Sequence, residues 1–283
     1  MTPPLEAAWT GLVDDAAIFP PGNADLPDAV RAYVERDHPL VGSFVLRDTD
    51  LPSVAPTGGV LPVAVVVTGG AGQIAGPARF CARAQGLELA GLEIALRDPD
   101  DLAGNTRRVS TAVDAARAEG DLGEDVPVFV ELPHVGSTGG WLAAADEVAA
   151  NGLRLKFRTG GLEAQAFPAP HALARWIDAA LDRETAFKCT AGLHNAVRHT
   201  NTRDFDRPVD QHGFLNVLVA TRVLFDGAGV PEAVEVLEQR DGAALAEQAR
   251  SLDLAGARRW FTSFGSCSVD EPLADLQDLG LLP

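Results

Sequence analysis

The sequence predicts a single (β/α)8 barrel, a TIM barrel, over residues 1–283, and three observations carry that reading. The length of 283 residues suits one closed barrel of about 250 residues with an enlargement at one connection. Eight short apolar runs recur along the chain, and segments with helical spacing lie between most of them, the alternation that produces parallel sheets. No linker rich in Pro, Gly or Ser and no block of charge separates two self-sufficient cores. A doubly wound open sheet is the alternative that the same alternation allows.

Strand one is expected over Leu12 to Phe19, followed by the rigid turn Phe19-Pro20-Pro21-Gly22 and a helix over Pro27 to Glu35. Strand two covers Val41 to Arg47 and strand three Leu61 to Thr68. The next segment, Thr68-Gly69-Gly70-Ala71-Gly72, lacks both the dinucleotide fingerprint and a Walker lysine, so it reads as a turn before a helix over Gly76 to Gln85. Strand four, Leu89 to Arg97, leads to a helix over Asn105 to Glu119; strand five, Val126 to Pro133, leads to one over Trp141 to Ala150. Strand six, Leu153 to Arg158, is followed by a helix over Ala169 to Leu181, and strand seven covers Ala186 to Thr190. The last crossover is enlarged. From 194 to 259 the chain inserts a polar loop and about three helices, Phe214 to Phe225, Pro231 to Gln239 and Ala243 to Leu252, before strand eight at Trp260 to Phe264.

Charge and composition narrow the function. A formal net charge of -17 repels phosphate backbones and anionic lipid surfaces, so neither nucleic acid nor membrane is an expected partner. No apolar run approaches the roughly 20 residues that span a bilayer. Met1-Thr2-Pro3-Pro4-Leu5-Glu6 lacks the basic start and apolar stretch of a secretory leader, which makes a cytoplasmic location the expectation. Cys81, Cys189 and Cys267 are odd in number and show no Cys-x-x-Cys spacing, so no disulfide framework or structural zinc site is indicated. No cofactor is expected, and a homo-oligomer is left open.

The polar residues that interrupt the apolar runs point to chemistry. Side chains alternate faces in a strand, so Lys156 and Arg158 share the face opposite Leu155 and Phe157, and Lys188 and Thr190 the face opposite Phe187 and Cys189. Where the apolar set lies under helices, the lysines point inward. Such a lysine is either neutralised by a carboxylate or has its pKa lowered, and the lowered form is a nucleophile for carbonyl carbon. Glu93 and Arg97 alternate with Leu92, Ile94 and Leu96; Glu131 interrupts Val128 to Leu132; and Asp14 and Asp15 end the first apolar step, so that one must face inward. Burying several ions costs a few kcal/mol each even when they are paired, so a cluster of Asp14, Glu93, Glu131, Lys156 and Lys188 is better explained as a site than as a core. Active sites of these barrels sit at the C-terminal ends of the strands.

At these residues the chain resembles the deoxyribose-phosphate aldolase branch of the Schiff-base aldolases, whose strand six carries Lys-x-x-Thr-Gly and strand seven Lys-x-Ser-Gly-Gly. The matching segments are Lys156-Phe157-Arg158-Thr159-Gly160 and, with departures, Lys188-Cys189-Thr190-Ala191-Gly192. Leu12-Val13-Asp14, Leu92-Glu93-Ile94, Glu131 and Thr262-Ser263-Phe264-Gly265 fall on strands one, four, five and eight, in the family's order. The resemblance implies a (β/α)8 carbon–carbon lyase that needs no cofactor and acts on a small carbonyl compound. It implies Lys156 as the imine-forming lysine, Lys188 as the cation that lowers its pKa, and Glu93 as a proton relay through water. Two departures, Glu93 for the family's Asp and Ala191-Gly192 for its phosphate-holding Gly-Gly, argue against deoxyribose phosphate itself.

The loop after strand seven supplies the remaining candidates. His194, Arg198, His199, Arg203, Arg207 and His212 crowd it, His171 lies at a helix start, and Gln211-His212-Gly213-Phe214 reads as a helix entry that favours an anion. With Arg198 nearby, a carboxylate or phosphate group on the substrate is expected. The substrate-binding candidates are thus Arg97, Arg158, Thr159, Gly160 and Thr190 at the strand ends, His194, Arg198 and His212 in the loop, and Ser263 on strand eight. Two other readings stay open. His194, His199 and His212 could hold a metal in a hydrolase or lyase, although their spacing fits no standard zinc pattern. The barrel could also bind a small molecule without catalysis, its lysines serving only as ion pairs.

Overall fold

The computed structural model describes residues 6–203 and 205–282, and it is a closed barrel of eight parallel strands. In chain order they are β1 (Val13–Asp15), β2 (Val41–Arg47), β3 (Leu61–Val67), β4 (Leu87–Ala95), β5 (Val128–Glu131), β6 (Arg154–Arg158) and β7 (Phe187–Thr190); after a small hairpin of β8 (His199–Asn201) and β9 (Val209–Gln211) comes β10 (Phe261–Ser266). The final strand pairs in parallel with both β7 and β1, which closes the ring and excludes the open-sheet alternative.

Helices cover the outside, and local sequence explains where several of them start. Asp101 accepts a bond from the Gly104 amide at 2.9 Å and opens the helix Leu102–Ala118; Thr138 accepts from Trp141 at 3.3 Å and opens Gly139–Ala150. Both are N-caps that satisfy an otherwise orphaned amide. Prolines in the first turns of Leu26–Arg36, Pro170–Asp182 and Val230–Glu238 occupy positions where a missing N–H costs nothing.

Between helices and sheet lies a run of rings that fixes the half of the barrel carrying the lysines. Phe157 on β6, Phe187 on β7 and Phe261 on β10 all face outward, with centroids 5.0 Å and 5.4 Å apart in succession. Trp141 and Trp176 extend the run into the covering helices. The register of β10 against β7 slips between Phe261 and Ser263, so Phe261 stays with the outer rings while Ser263 turns inward opposite Lys188.

Three expectations are corrected. Strand one stops at Asp15 rather than Phe19, because Ala16 to Phe19 fold into a turn in which the Phe19 amide bonds to the Ala16 carbonyl at 2.9 Å. Strand four ends at Ala95, which puts Arg97 beyond the sheet, on the rim. The enlarged crossover carries its three helices, at Phe214–Phe225, Val230–Glu238 and Gly242–Ser251, but its loop is in part the antiparallel hairpin β8–β9. Among the described residues no helix is long and apolar enough to cross a membrane.

Candidate active site

Alternation carries Asp14, Glu93, Glu131, Lys156, Lys188 and Arg158 to the barrel interior from four neighbouring strands, β4 to β7, and from β1, and there they form one alternating chain of charge. Asp14 Oδ2 accepts from Lys188 Nζ at 2.7 Å; Lys188 also donates to Glu93 Oε1 at 2.6 Å. The other oxygen of Glu93 lies 2.7 Å from Lys156 Nζ, and Lys156 reaches Glu131 Oε2 at 3.0 Å. Glu131 Oε1 then takes a bond from Arg158 Nε at 2.7 Å. Three carboxylates and three cations thus alternate with no net charge, the arrangement that makes burial of ions tolerable.

Neighbours fix the deep end. Asp14 Oδ1 accepts from the Ser43 amide at 2.9 Å and the Ser43 hydroxyl at 2.7 Å, while Ser263 donates to Oδ2 at 2.6 Å. Lys188 Nζ also sits 5.3 Å from the centre of the Phe129 ring. Burial pushes the Glu93 carboxyl up, but the two ammonium groups facing it prevail and hold it down at about 2. For Glu131 the contest ends the same way, with Lys156 and Arg158 outweighing burial to hold it below its ordinary value. Burial lowers Lys156 and Lys188, yet their carboxylate partners prevail and raise both. Lys188 is therefore not the cation that depresses Lys156. Glu93 stands between them and screens one from the other.

Above this chain, at the C-terminal ends of the strands, opens a cavity of about 800 Å³. Glu93, Glu131, Lys156, Arg158 and Thr190 line its floor and wall, with Arg97 and His194 at the rim. Lys188, Asp14 and Ser263 lie beneath, out of the cavity. Lys156 is the one lysine a ligand can reach. Arg97 bonds through Nη2 to the Thr68 carbonyl, which ties the rim of β4 to that of β3.

Several candidates turn out to build the site without facing it. Thr159 donates to the Ala191 carbonyl at 2.6 Å, pinning the loop after β7 to that after β6. At Gly160 a Cβ would lie 2.6 Å from Gly192 Cα, so glycine there allows the two loops to touch. Arg198 is buried; it contacts Asp210 at 3.2 Å and His212 Nδ1 at 3.3 Å rather than the cavity. His212 is wholly buried with Nε2 2.8 Å from the Pro168 carbonyl, and burial holds its pKa down at about 4, so it is a neutral hydrogen-bonding post. The expected anion clamp at Arg198 is thus corrected: desolvated and paired inside the loop, this arginine braces the hairpin.

The three histidines of the metal reading also go to separate partners. His194 Nδ1 lies 3.2 Å from Glu271, His199 Nδ1 lies 3.3 Å from the Val197 carbonyl, and His212 serves Pro168. Among the described residues no group of three His, Cys, Asp or Glu converges on a point that could hold a metal ion.

Other cavity residues were not singled out from the sequence. Val45, Val66 and Ala95 face it from β2, β3 and β4; Phe19, Pro20 and Pro21 lean over it from the turn after β1; Phe167 and Phe205 close it from the far side. Alternation could not assign Val45 and Val66, because these runs are apolar on both faces. Phe205 lies in a loop whose path no local pattern determines. Comparison with protein-family models and with curated proteins finds no match to this chain.

Proposed function

We propose that this chain is a Schiff-base enzyme, a carbon–carbon lyase of the class I aldolase kind acting on a small carbonyl compound with an anionic group, and that Lys156 is its nucleophile. One observation carries the reading. Of the 23 Lys and Arg residues, only Lys156 and Lys188 are lysine, and both lie in the buried charge chain. A chain that uses arginine at every other cationic position has lysine only in the barrel interior. The chemical difference is that an ammonium can surrender its proton and a guanidinium cannot. A purely structural ion pair does not need that property; imine formation does.

The contacts of Lys156 support a sequence of steps. Glu131 or Glu93, each within 3.0 Å of Lys156 Nζ, takes the ammonium proton as a carbonyl carbon approaches. The amine attacks, the carbonyl oxygen leaves as water after accepting two protons, and a protonated imine remains. A β-hydroxyl on the substrate then loses its proton to a carboxylate, its oxygen forms the C=O of a departing carbonyl product as the adjacent C–C bond breaks, and the electron pair of that bond moves into the imine to give an enamine. Protonation of the enamine carbon and addition of water return the amine. Arg158, anchored to Glu131 through Nε and 41% exposed, presents its remaining N–H groups to an anionic substituent.

Cyanoborohydride with a panel of aldehydes and 2-oxo acids tests the reading. At least one carbonyl compound is expected to add a single adduct mass to the intact protein. Absence of an adduct across the panel would favour a binding barrel whose lysines serve as ion pairs.

A further inference from the structure

The cavity has two chemically distinct halves. Above the charge chain, Val45 on β2, Val66 on β3, Ala95 on β4 and Ala16 in the turn after β1 face the cavity, while β5 to β7 contribute Glu131, Arg158 and Thr190. The β2 to β4 side is thus hydrocarbon between the Glu93 carboxylate on its floor and Thr68 and Arg97 at its rim, while the opposite side carries ions along its wall. Phe19, held against the Arg47 guanidinium at 4.5 Å, extends the hydrocarbon wall upward. At about 800 Å³ the space is that of a drug-sized ligand, far more than a three-carbon compound fills. A sugar phosphate lying along Val45, Val66 and Ala95 would set hydroxyls against hydrocarbon, which is costly for each one that reaches no polar partner.

We infer that the substrate is a 2-oxo acid with an extended apolar tail, whose carboxylate meets Arg158 and whose tail lies on the wall of Val45, Val66 and Ala95. The carbonyl position rests on the imine reading above; the tail site does not. Lys156 and Arg158 are two residues apart on one strand and share a face, so adjacent carboxylate and carbonyl groups can meet both side chains while the rest of the molecule crosses to the apolar wall.

The test is a chain-length series run in two arms. In the first, pyruvate, 2-oxobutanoate, 2-oxohexanoate and 2-oxooctanoate are trapped with cyanoborohydride and their half-saturating concentrations compared. In the second, the saturated carboxylates from acetate to octanoate, which cannot form an imine, are titrated by calorimetry. Half-saturating concentration and Kd should fall roughly fourfold per methylene over the first additions, as expected for burial of each methylene. A polyhydroxylated 2-oxo acid of matching length should bind more weakly than its saturated counterpart. Ala95→Leu, which fills the apolar wall, should flatten both series; Val66→Thr, which adds a hydroxyl at nearly constant volume, should weaken the long acids relative to the short ones. Adducts that form with no dependence on tail length would overturn the tail site and leave the imine reading standing. Tight binding of long carboxylates with no adduct from any 2-oxo acid would do the reverse.

Discussion

Lys156 has a carboxylate on each side of its ammonium, at 2.7 Å and 3.0 Å, and this pairing determines how its reactivity should depend on pH. The amine that attacks a carbonyl and the ammonium at rest differ by a proton that need travel only to Glu131 or Glu93, so the reacting and resting forms hold the same number of protons. The trapping rate, normalised to the reductant's own pH dependence, should therefore stay level above the ordinary Glu value of 4.5. It should begin to change only past the ordinary Lys value of 10.5, above which Lys156 is shifted. A rise centred near neutrality would mean that the lysine is depressed, as the aldolase resemblance implies, rather than paired. The ions themselves were legible: each of Asp14, Glu93, Glu131, Lys156 and Lys188 breaks an apolar run at an inward position. Their pairing was not, because alternation gives the face of a side chain but not the neighbour its end will reach across the barrel.

The connection between β7 and β10 shows the limit of local pattern for whole elements. Its three helices are periodic and could be read directly, but β8 and β9 are three residues each, His199–Asn201 and Val209–Gln211, too short and polar to give an alternating signal. What holds them is charge pairing on Asp210, from the buried Arg198 and, at 2.7 Å, from the exposed Arg240. The Arg198→Ala variant should lose about 1.5–3 kcal/mol, the usual worth of hydrogen bonds to a charged group. It should be cut faster by protease within 199–211 while trapping of small aldehydes persists. Unchanged protection of that segment, together with a selective loss of anionic substrates, would restore Arg198 as an anion clamp. Similar physics explains the Thr159-Gly160 pair. Its pattern was visible in the sequence, but its role in locking two loops together depends on Gly192, 32 residues from Gly160 and folded against it.

At the scale of the whole molecule, the closed barrel was the most legible feature, since eight runs and their spacing set the topology and closure followed from β10 meeting β1. That ring surrounds a neutral chain of six ions, and the chain couples stability to acid. Glu93 and Glu131 have folded pKa values below the ordinary 4.5, so the stability they provide is complete above that value and is lost as pH falls toward about 2, where Glu93 itself titrates. Denaturant midpoints should decline over that window. Glu93→Gln, which leaves both lysines short of a counter-charge, should cost about 3–5 kcal/mol at neutral pH and reduce the acid dependence. A midpoint indifferent to the substitution would mean that the chain contributes nothing to the fold. The central claim concerns a single atom, Lys156 Nζ, and because the chain holds only two lysines it can be tested by locating one covalent bond. Peptide mapping after reductive trapping with a 2-oxo acid should place the added mass on the segment containing Lys156, leave Lys188 unmodified and lose the adduct in Lys156→Arg. An adduct confined to Lys188 or to the chain's amino terminus would contradict the account.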